Sequence, residues 1–378
     1  MRLRKDIRLV RDSGQDGVAL IIVMLVIVVL AVMASAFAYS MKVEAALARN
    51  FNSQAELEWT ARSVMEMARF VLGESMKVQS EPYDSLGQYW AGAPVDPSKE
   101  EAYLSLFAVP QPARQAGELN PQHELGDALF DYRIEDMERF YNINVADDFA
   151  LRQALILMQA EDVDADLVAD SILDWIDPDD ATHLSGTESE YYERLDPPYV
   201  AKNGPIDDIT ELLLIRGITP ELFWGPRVGQ YRQTALYEQA RTRMFEDELI
   251  AYPVGLEQLF TSVSASFVNM NTASAEVFQL VPGIDANVAA GIIELRAGPD
   301  GLDGTEDDFP LRSPSELGMV PGMNPQVAAA LGRVLVSRSA TFRVTIKAAR
   351  GEHVGTWKAL LRRDSPTDVK LLTFYRDS

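Results

Sequence analysis

Carboxylates gather at Asp174-Trp175-Ile176-Asp177-Pro178-Asp179-Asp180, followed by Gly186-Thr187-Glu188-Ser189-Glu190-Tyr191-Tyr192 and then by Tyr199 and Asn203. Hard oxygen donors on a helix end and in the loop behind it suit Ca2+, which takes roughly six to eight of them at ~2.3–2.6 Å. Ligands two and three residues apart converge once the helix stops at Pro178. Asp174, Asp177, Asp179 and Glu188 are therefore candidate calcium ligands, with a solvated acidic loop as the alternative. The pattern is not an EF-hand, because the central glycine and the distal glutamate spacing are missing. A second acidic loop, Asp300-Gly301-Leu302-Asp303-Gly304-Thr305-Glu306-Asp307-Asp308, offers Asp300, Asp303, Asp307 and Asp308 for the same chemistry, against a bare turn.

Other chemistries find little here. The chain has no cysteine, which removes disulfides, thiolate metal sites and cysteine nucleophiles. His123, His183 and His353 are scattered, so a zinc or histidine-based catalytic site is not expected. No Ser-His-Asp order, glycine-rich phosphate loop or HExxH occurs, and no enzyme activity is expected. Asn269-Met270-Asn271-Thr272-Ala273-Ser274, leading into Val281-Pro282-Gly283-Ile284 and Ile292 to Arg296, looks like the helix-hairpin-helix module of competence-type DNA-binding proteins. Hairpin amides at a helix N-terminus can hold a phosphate. Lysine, however, is absent between Lys202 and Lys347, and Asp285, Glu294, Asp300 and Asp303 surround the hairpin. A compact packing unit is the expectation, and nucleic acid is not expected as a partner.

The hairpin is one copy of a theme. Glu276 to Ile284 is followed by Val288-Ala289-Ala290, Glu316 to Met323 by Val327-Ala328-Ala329, and Glu211 to Ile218 is a looser copy. Each reads as a helix closed by a left-handed glycine, a tight turn and a second helix. Helical spacing also covers Leu151–Met158, Leu167–Ile176, Ile209–Ile215 and Leu236–Leu249, whereas alternation predicts strands at Ala128–Asp136, Phe140–Asn144, Val334–Val336, Ala340–Ala348, Thr356–Leu361 and Val369–Tyr375. Gly351-Glu352 predicts a hairpin tip. The fold class expected is α+β: a long N-terminal helix and an antiparallel sheet, with a large all-helical domain inserted.

What holds all this in place begins at the N-terminus. A basic leader (Arg2, Arg4, Lys5, Arg8, Arg11) precedes Gly17 and an uncharged apolar run from Val18 to Met41. At ~1.5 Å per residue such a run spans a ~30 Å hydrocarbon core. The leader's charge keeps it cytoplasmic and sends the remainder across, a single-pass arrangement. A signal peptide would be cut after a shorter apolar region; here the candidate cut falls before the run, between Gly17 and Val18, which resembles the type IV prepilin class of export signals. Helical spacing continues from Glu44 through Phe70 with no proline or glycine before Gly73, predicting one helix of about fifty residues, roughly 80 Å. Beyond Lys42, 28 basic residues face 54 acidic ones, a balance of −26 that repels phosphate backbones and anionic lipid and favours cations.

Together these pieces resemble the type II secretion minor pseudopilin of the K type, general secretion pathway protein K. The resemblance rests on Gly17 before the apolar run, on Asp174-Trp175-Ile176-Asp177-Pro178-Asp179 with Gly186, Glu188, Tyr192, Tyr199 and Asn203, and on Asn269-Met270-Asn271-Thr272-Ala273. It implies a non-enzymatic subunit at the pseudopilus tip that initiates assembly with I-type and J-type minor pseudopilins and the major pseudopilin. It further implies cutting by the prepilin peptidase, methylation of Val18, an inner-membrane anchor and a periplasmic bulk. Pilin-like segments then fall at 1–17 (leader), 18–72 (long helix), 73–144 and 266–378 (pilin-like α+β parts), with the inserted helical domain at 145–265. Residues Ala19 to Phe37, among them Ile22, Leu25 and Val29, would drive helix packing. Most pilins carry glutamate at the fifth residue after the cut, where this chain has Ile22; without that carboxylate it has nothing to pair with the amine of a subunit above, which suits the first position in a filament. Rival readings are a membrane-anchored helix-hairpin-helix DNA receptor and a type IV pilus minor subunit.

Overall fold

The computed structural model describes residues 13–95, 97–115, 117–161, 163–231, 234–241 and 252–377. The basic leader residues and the second half of the expected Leu236–Leu249 helix lie outside them. Helix α1 runs unbroken over Ser13–Ser75, 63 residues or roughly 95 Å, two residues beyond the expected stop at Gly73. No proline interrupts it. Its two halves differ in what covers them: Val18–Ala45 is wholly exposed, while Leu57, Ala61, Val64, Met65, Ala68, Val71 and Leu72 form a buried stripe at three-and-four spacing.

That stripe lies on a sheet. Strands β1 (His123–Leu125) and β2 (Ala128–Asp136) precede a long excursion holding the two-residue strands β3 (Tyr141–Asn142), β4 (Phe260–Thr261), β5 (Val268–Asn269) and β6 (Leu335–Val336); β7 (Thr341–Arg350), β8 (His353–Ser365) and β9 (Asp368–Asp377) follow. The main sheet has the order β1-β2-β7-β8-β9, antiparallel throughout. Period-two alternation turns Phe342, Val344, Ile346 and Ala348 of β7, with Trp357, Ala359 and Leu361 of β8, into one core with α1. Gly351-Glu352 forms the expected tip, flanked by the Arg350↔His353 pair. The expected strand at Phe140–Asn144 shrinks to β3, because Asn142 caps a 3-10 turn over Ile143–Val145 through the Asn144 amide.

The excursion from β2 to β7 is the insertion. It carries α2 (Asp148–Leu157), α3 (Ala165–Ile176), α4 (Ser189–Tyr192), α5 (Pro220–Trp224), α6 (Val228–Tyr231), α7 (Ala235–Arg241), α8 (Leu256–Leu259), α9 (Ala275–Gln279), α10 (Ala286–Arg296) and α11 (Pro325–Leu331). The stretch expected as helix at Ile209–Ile215 is a 3-10 helix over Ile209–Leu214. One apolar core runs from Tyr141 to Leu335 and contains Leu151, Ile172, Phe223, Phe278, Ile292 and Leu317. Residues 266–335, expected with the pilin-like part, thus share their core with the helical block. Two parallel pairings, β3 with β4 and β5 with β6, close this unit at its seam with the sheet. The α+β class, with its long N-terminal helix, antiparallel sheet and many helices, is the observed one.

The three repeated turns follow a common plan. Gly217, Gly283 and Gly322 have φ of +86°, +93° and +84°, and two residues later Thr219, Asp285 and Asn324 cap α5, α10 and α11.

Candidate functional site

Helix α3 presents Asp170, Ser171 and Asp174 on one face, and each holds a different point of the loop that follows. Asp170 accepts the Ser185 amide at 2.9 Å, Ser171 bonds the Thr187 hydroxyl at 3.1 Å, and Asp174 Oδ1 accepts the His183 amide at 3.0 Å as well as contacting His183 Nδ1. The helix ends at Asp177 because Pro178 follows, and the loop folds back over its last turn. Gly186 is demanded by this closure: a Cβ there would stand 2.0 Å from Asp174 Oδ2. Behind the loop, Trp175 meets Tyr192 edge-on at 5.3 Å, and Tyr192 stacks on Tyr199 at 5.2 Å, forming a rigid apolar wall.

The oxygens left over are the notable feature. Asp174 Oδ2, Asp177 Oδ1, both oxygens of Glu188 and Asn203 Oδ1 are buried and accept no hydrogen bond. Asp174 is fully buried and Glu188 is 6 % exposed. Leaving such groups unpaired costs about 1–3 kcal/mol each, and more when ionised. The field agrees: burial, then Asp174 and Asp177, push the Glu188 carboxyl up to about 7. Burial and Asp179 raise Asp177 as well, and the bond to Asp174 raises His183. A proton or a cation relieves this arrangement, and a hard divalent cation meets several orphaned oxygens at once.

The structure therefore brings Asp174 and Asp177 together, with Glu188 near enough for both charges to act on it. Asp179 sits on the exposed rim, where it accepts the Ala181 amide at 2.8 Å. Asn203, with φ of +48°, donates to Asp179 O and Asp180 Oδ1, both at 2.9 Å. His183 is a neighbour that sequence reasoning set aside: its ring joins Asp174 and Asp177 in a group whose donor atoms lie within 4.8 Å of one another. Its position nine residues after Asp174 gave no periodic signal, because the loop's return path makes the contact.

The second acidic loop is put together differently. Asp300 accepts the Leu302 amide, Asp307 the Asp300 amide and the Thr305 hydroxyl, and Asp308 the amides of Gly304 and Thr305. Asp303 forms a two-point pair with Arg296, at 2.9 and 2.6 Å, and Arg296 is only 4 % exposed. These four carboxylates shape a turn and neutralise a buried guanidinium.

Asn269-Met270-Asn271-Thr272-Ala273 lies at the seam between the two cores. Asn269 Nδ2 donates to Asp136 Oδ2 at 3.0 Å, to Ser339 Oγ at 2.8 Å and to Asp84 O at 3.1 Å; Thr272 Oγ1 donates to Asp136 Oδ2 at 2.6 Å. Asn271 exchanges two bonds with the Leu311 backbone. Buried Arg363 of β8 pairs with Asp84, which also accepts the Ser339 amide at 2.8 Å. Asp84, Asp136, Ser339 and Arg363 carry no local pattern in the sequence, yet with Asn269 they lock insert to sheet. At the hairpin itself, Asp285 occupies the start of α10 and accepts the amides of Asn287 and Val288, where a phosphate would need to bind.

Comparison with known proteins fits these parts. Residues 127–224 match the family model described as Type II secretion system (T2SS), protein K. The chain is 27 % identical over 228 residues to the type II secretion system protein K of Aeromonas hydrophila, covering 55 % of this chain and 61 % of that protein. It is 24 % identical over 216 residues to a putative type II secretion system protein K of Escherichia coli strain K12, covering 56 % and 61 %. The aligned part thus spans about three fifths of the length of these curated relatives. Among solved structures, a chain of the GspK–GspI–GspJ complex from the enterotoxigenic Escherichia coli type 2 secretion system superposes with a TM-score of 0.57, at 17 % identity, over 87 % of this chain and 99 % of that one. That likeness speaks for the fold.

Proposed function

We propose that the chain is a member of the type II secretion protein K family that its relatives represent, and thus a minor pseudopilin: a structural subunit, not an enzyme, at the tip of a membrane-rooted filament that exports proteins. The single observation that carries this reading is α1. Its exposed apolar half is continuous with the stripe that forms the core of the sheet, so anchor and body are one rigid piece. Cutting between Gly17 and Val18 by the prepilin peptidase would leave the helix in the inner membrane with the bulk in the periplasm, and Val18 is then the residue open to methylation. An apolar rod without lipid around it needs other rods, and the exposed faces of Ile22, Leu25 and Val29 supply the packing surface. I-type and J-type minor pseudopilins, then the major pseudopilin, are its partners. The large insertion between β2 and β7 and the lack of a carboxylate at Ile22 both suit the first position.

The acidic loop after α3 is a calcium centre in this reading. The buried, unpaired oxygens of Asp174, Asp177, Glu188 and Asn203 fit such an ion, with Asp179 at the rim. Bound calcium would neutralise that charge and stiffen the loop, work that disulfides do in other exported proteins.

Mass spectrometry of the native N-terminus and co-purification from membranes with I-type and J-type subunits test the proposal together. The expected results are a chain starting at Val18 and a stable complex. An intact Met1, or a chain that isolates alone, refutes it. Salt-dependent DNA binding by the full chain would instead favour the receptor reading.

A further inference from the structure

Beside α1 lies a groove of about 340 Å³ lined by Phe51, Ala55, Arg62, Trp357, Phe374 and Tyr375. Its floor is the Trp357 indole, which lies flat over Gly355; a Cβ at Gly355 would meet that ring at 2.4 Å. Its walls are held by stacking, with Arg62 over Phe374 at 4.9 Å and Arg376 over Trp357 at 5.6 Å. The Arg350–Glu56 and Arg62–Glu58 pairs fix the helix wall. At its mouth, Phe51 is 78 % exposed and Tyr375 49 %. This is a preformed groove of mixed lining, with Gln54, Glu58, Arg62 and Arg376 around an aromatic floor and two large rings standing in solvent.

Its place says what enters it. Phe51 lies six residues, roughly 9 Å, beyond Ala45, the last residue of the exposed apolar segment. On a straight α-helix, Ile22, Val26, Val29, Met33 and Phe37 fall within roughly 40° of Phe51, as do Ala55 and Arg62. The anchor is apolar and exposed on every side, and the groove continues the side that carries Phe51, starting just beyond the end of that segment. A helix that packs on that face in the membrane must, on leaving it, run straight into the slot. A soluble partner has no such guide.

We propose that this groove receives the membrane-proximal part of another subunit's N-terminal helix, an apolar or aromatic side chain of that helix seating on Trp357 between Phe51 and Tyr375. The proposal rests on the filament reading above and deepens it, by assigning which face of α1 meets the neighbour and by extending the contact from the bilayer to the sheet edge. Interface energy concentrates where aromatic anchors fill desolvated pockets, so this slot is the hot spot of the contact.

The test uses the full chain in membranes, co-expressed with I-type and J-type subunits, carrying photoreactive benzoylphenylalanine at position 51, 375, 33 or 184. Adducts from 51, 375 and 33 to the N-terminal helix of the same partner, with none from the remote loop residue 184, are the expected result. Adducts from 33 but not from 51 or 375 overturn the groove and leave the filament reading intact; no adduct from any position, with no co-purifying partner, overturns both. Adducts from 51 and 375 to lipid or to a second copy of this chain also overturn it. As an independent arm, Ala55→Trp, which fills the slot, and Tyr375→Glu, which charges its mouth, should each weaken partner capture about tenfold. Unchanged capture by both, at unchanged melting temperature, refutes the proposal.

Discussion

Two acidic loops of this chain look alike in composition and differ in what their carboxylates do. After α3, Asp174 and Asp177 lie side by side with Glu188 within reach of their charge, and several of their oxygens are buried with no donor. After α10, those of Asp300, Asp303, Asp307 and Asp308 are met by loop amides, by Thr305 and by Arg296. Charge density is similar in both, so it does not make an ion site. What sets the first loop apart is that its amides reach only some of the carboxylate oxygens, leaving Asp174 Oδ2, Asp177 Oδ1 and both Glu188 oxygens buried without a donor.

The difference can be broken most forcefully at Arg296. Asp303→Asn should leave this buried guanidinium without its counter-charge and destabilise the full chain, in detergent micelles, by about 3 kcal/mol in denaturant unfolding. The loss should be the same in calcium and in chelator; a calcium-dependent loss would make the second loop an ion site too. Chelation of the wild type is the matching experiment on the proposed calcium site of the first loop. At free ion about a hundredfold above its Kd, bound calcium adds about 2.7 kcal/mol, so chelation should lower the melting temperature, and Asp174→Asn should abolish the response. A chelator-insensitive wild type would reduce the orphaned oxygens to a strained acidic turn.

Acidity sharpens the contrast further. In chelator, the raised Glu188 carboxyl binds its proton more tightly in the folded state than in the unfolded chain. Its stabilising contribution is complete below the ordinary glutamate value near 4.5 and is lost as pH rises through about 7. The melting temperature should therefore fall between pH 5 and pH 8, flatten when calcium is present and flatten in Glu188→Gln; a slope that survives Glu188→Gln would disprove the assignment. Asp307 behaves in the opposite sense. The Thr305 hydroxyl holds it below the usual aspartate range, so its contribution is present above that range and lost only as pH falls through its lowered value. The smallest expected effect is at the strap: Ser171→Ala removes one buried hydrogen bond to Thr187, about 1 kcal/mol, and should weaken calcium binding severalfold without abolishing it. No change in either quantity would mean that the loop holds its shape without α3.

The pattern of residues made some of this plain and hid the rest for identifiable reasons. Local periodicity sufficed for α1, for β7 to β9 and their hairpin, and for the three glycine-closed turns, because each depends on neighbours within a few positions. Ligand spacing pointed to Asp174 and Asp177, one helix turn apart. It could not separate the two acidic loops, since hydrogen-bond satisfaction depends on where a loop's amides point. Nor did it reveal His183, or Asn269 as the centre of a polar seam, because Asp84, Asp136, Ser339 and Arg363 reach it from distant points of the chain.

What the amino-acid order alone determined was the long apolar-to-amphipathic helix, the antiparallel end of the chain and the excess of carboxylates, each set by short-range spacing and side-chain transfer from water. Tertiary structure alone decided which of those carboxylates were stripped of partners, that residues 266–335 pack with the helical block, and that a slot beside α1 continues one side of the anchor. Those outcomes turn on contacts between segments tens to hundreds of residues apart, and burial and partner geometry at such contacts exist only once the chain has closed on itself.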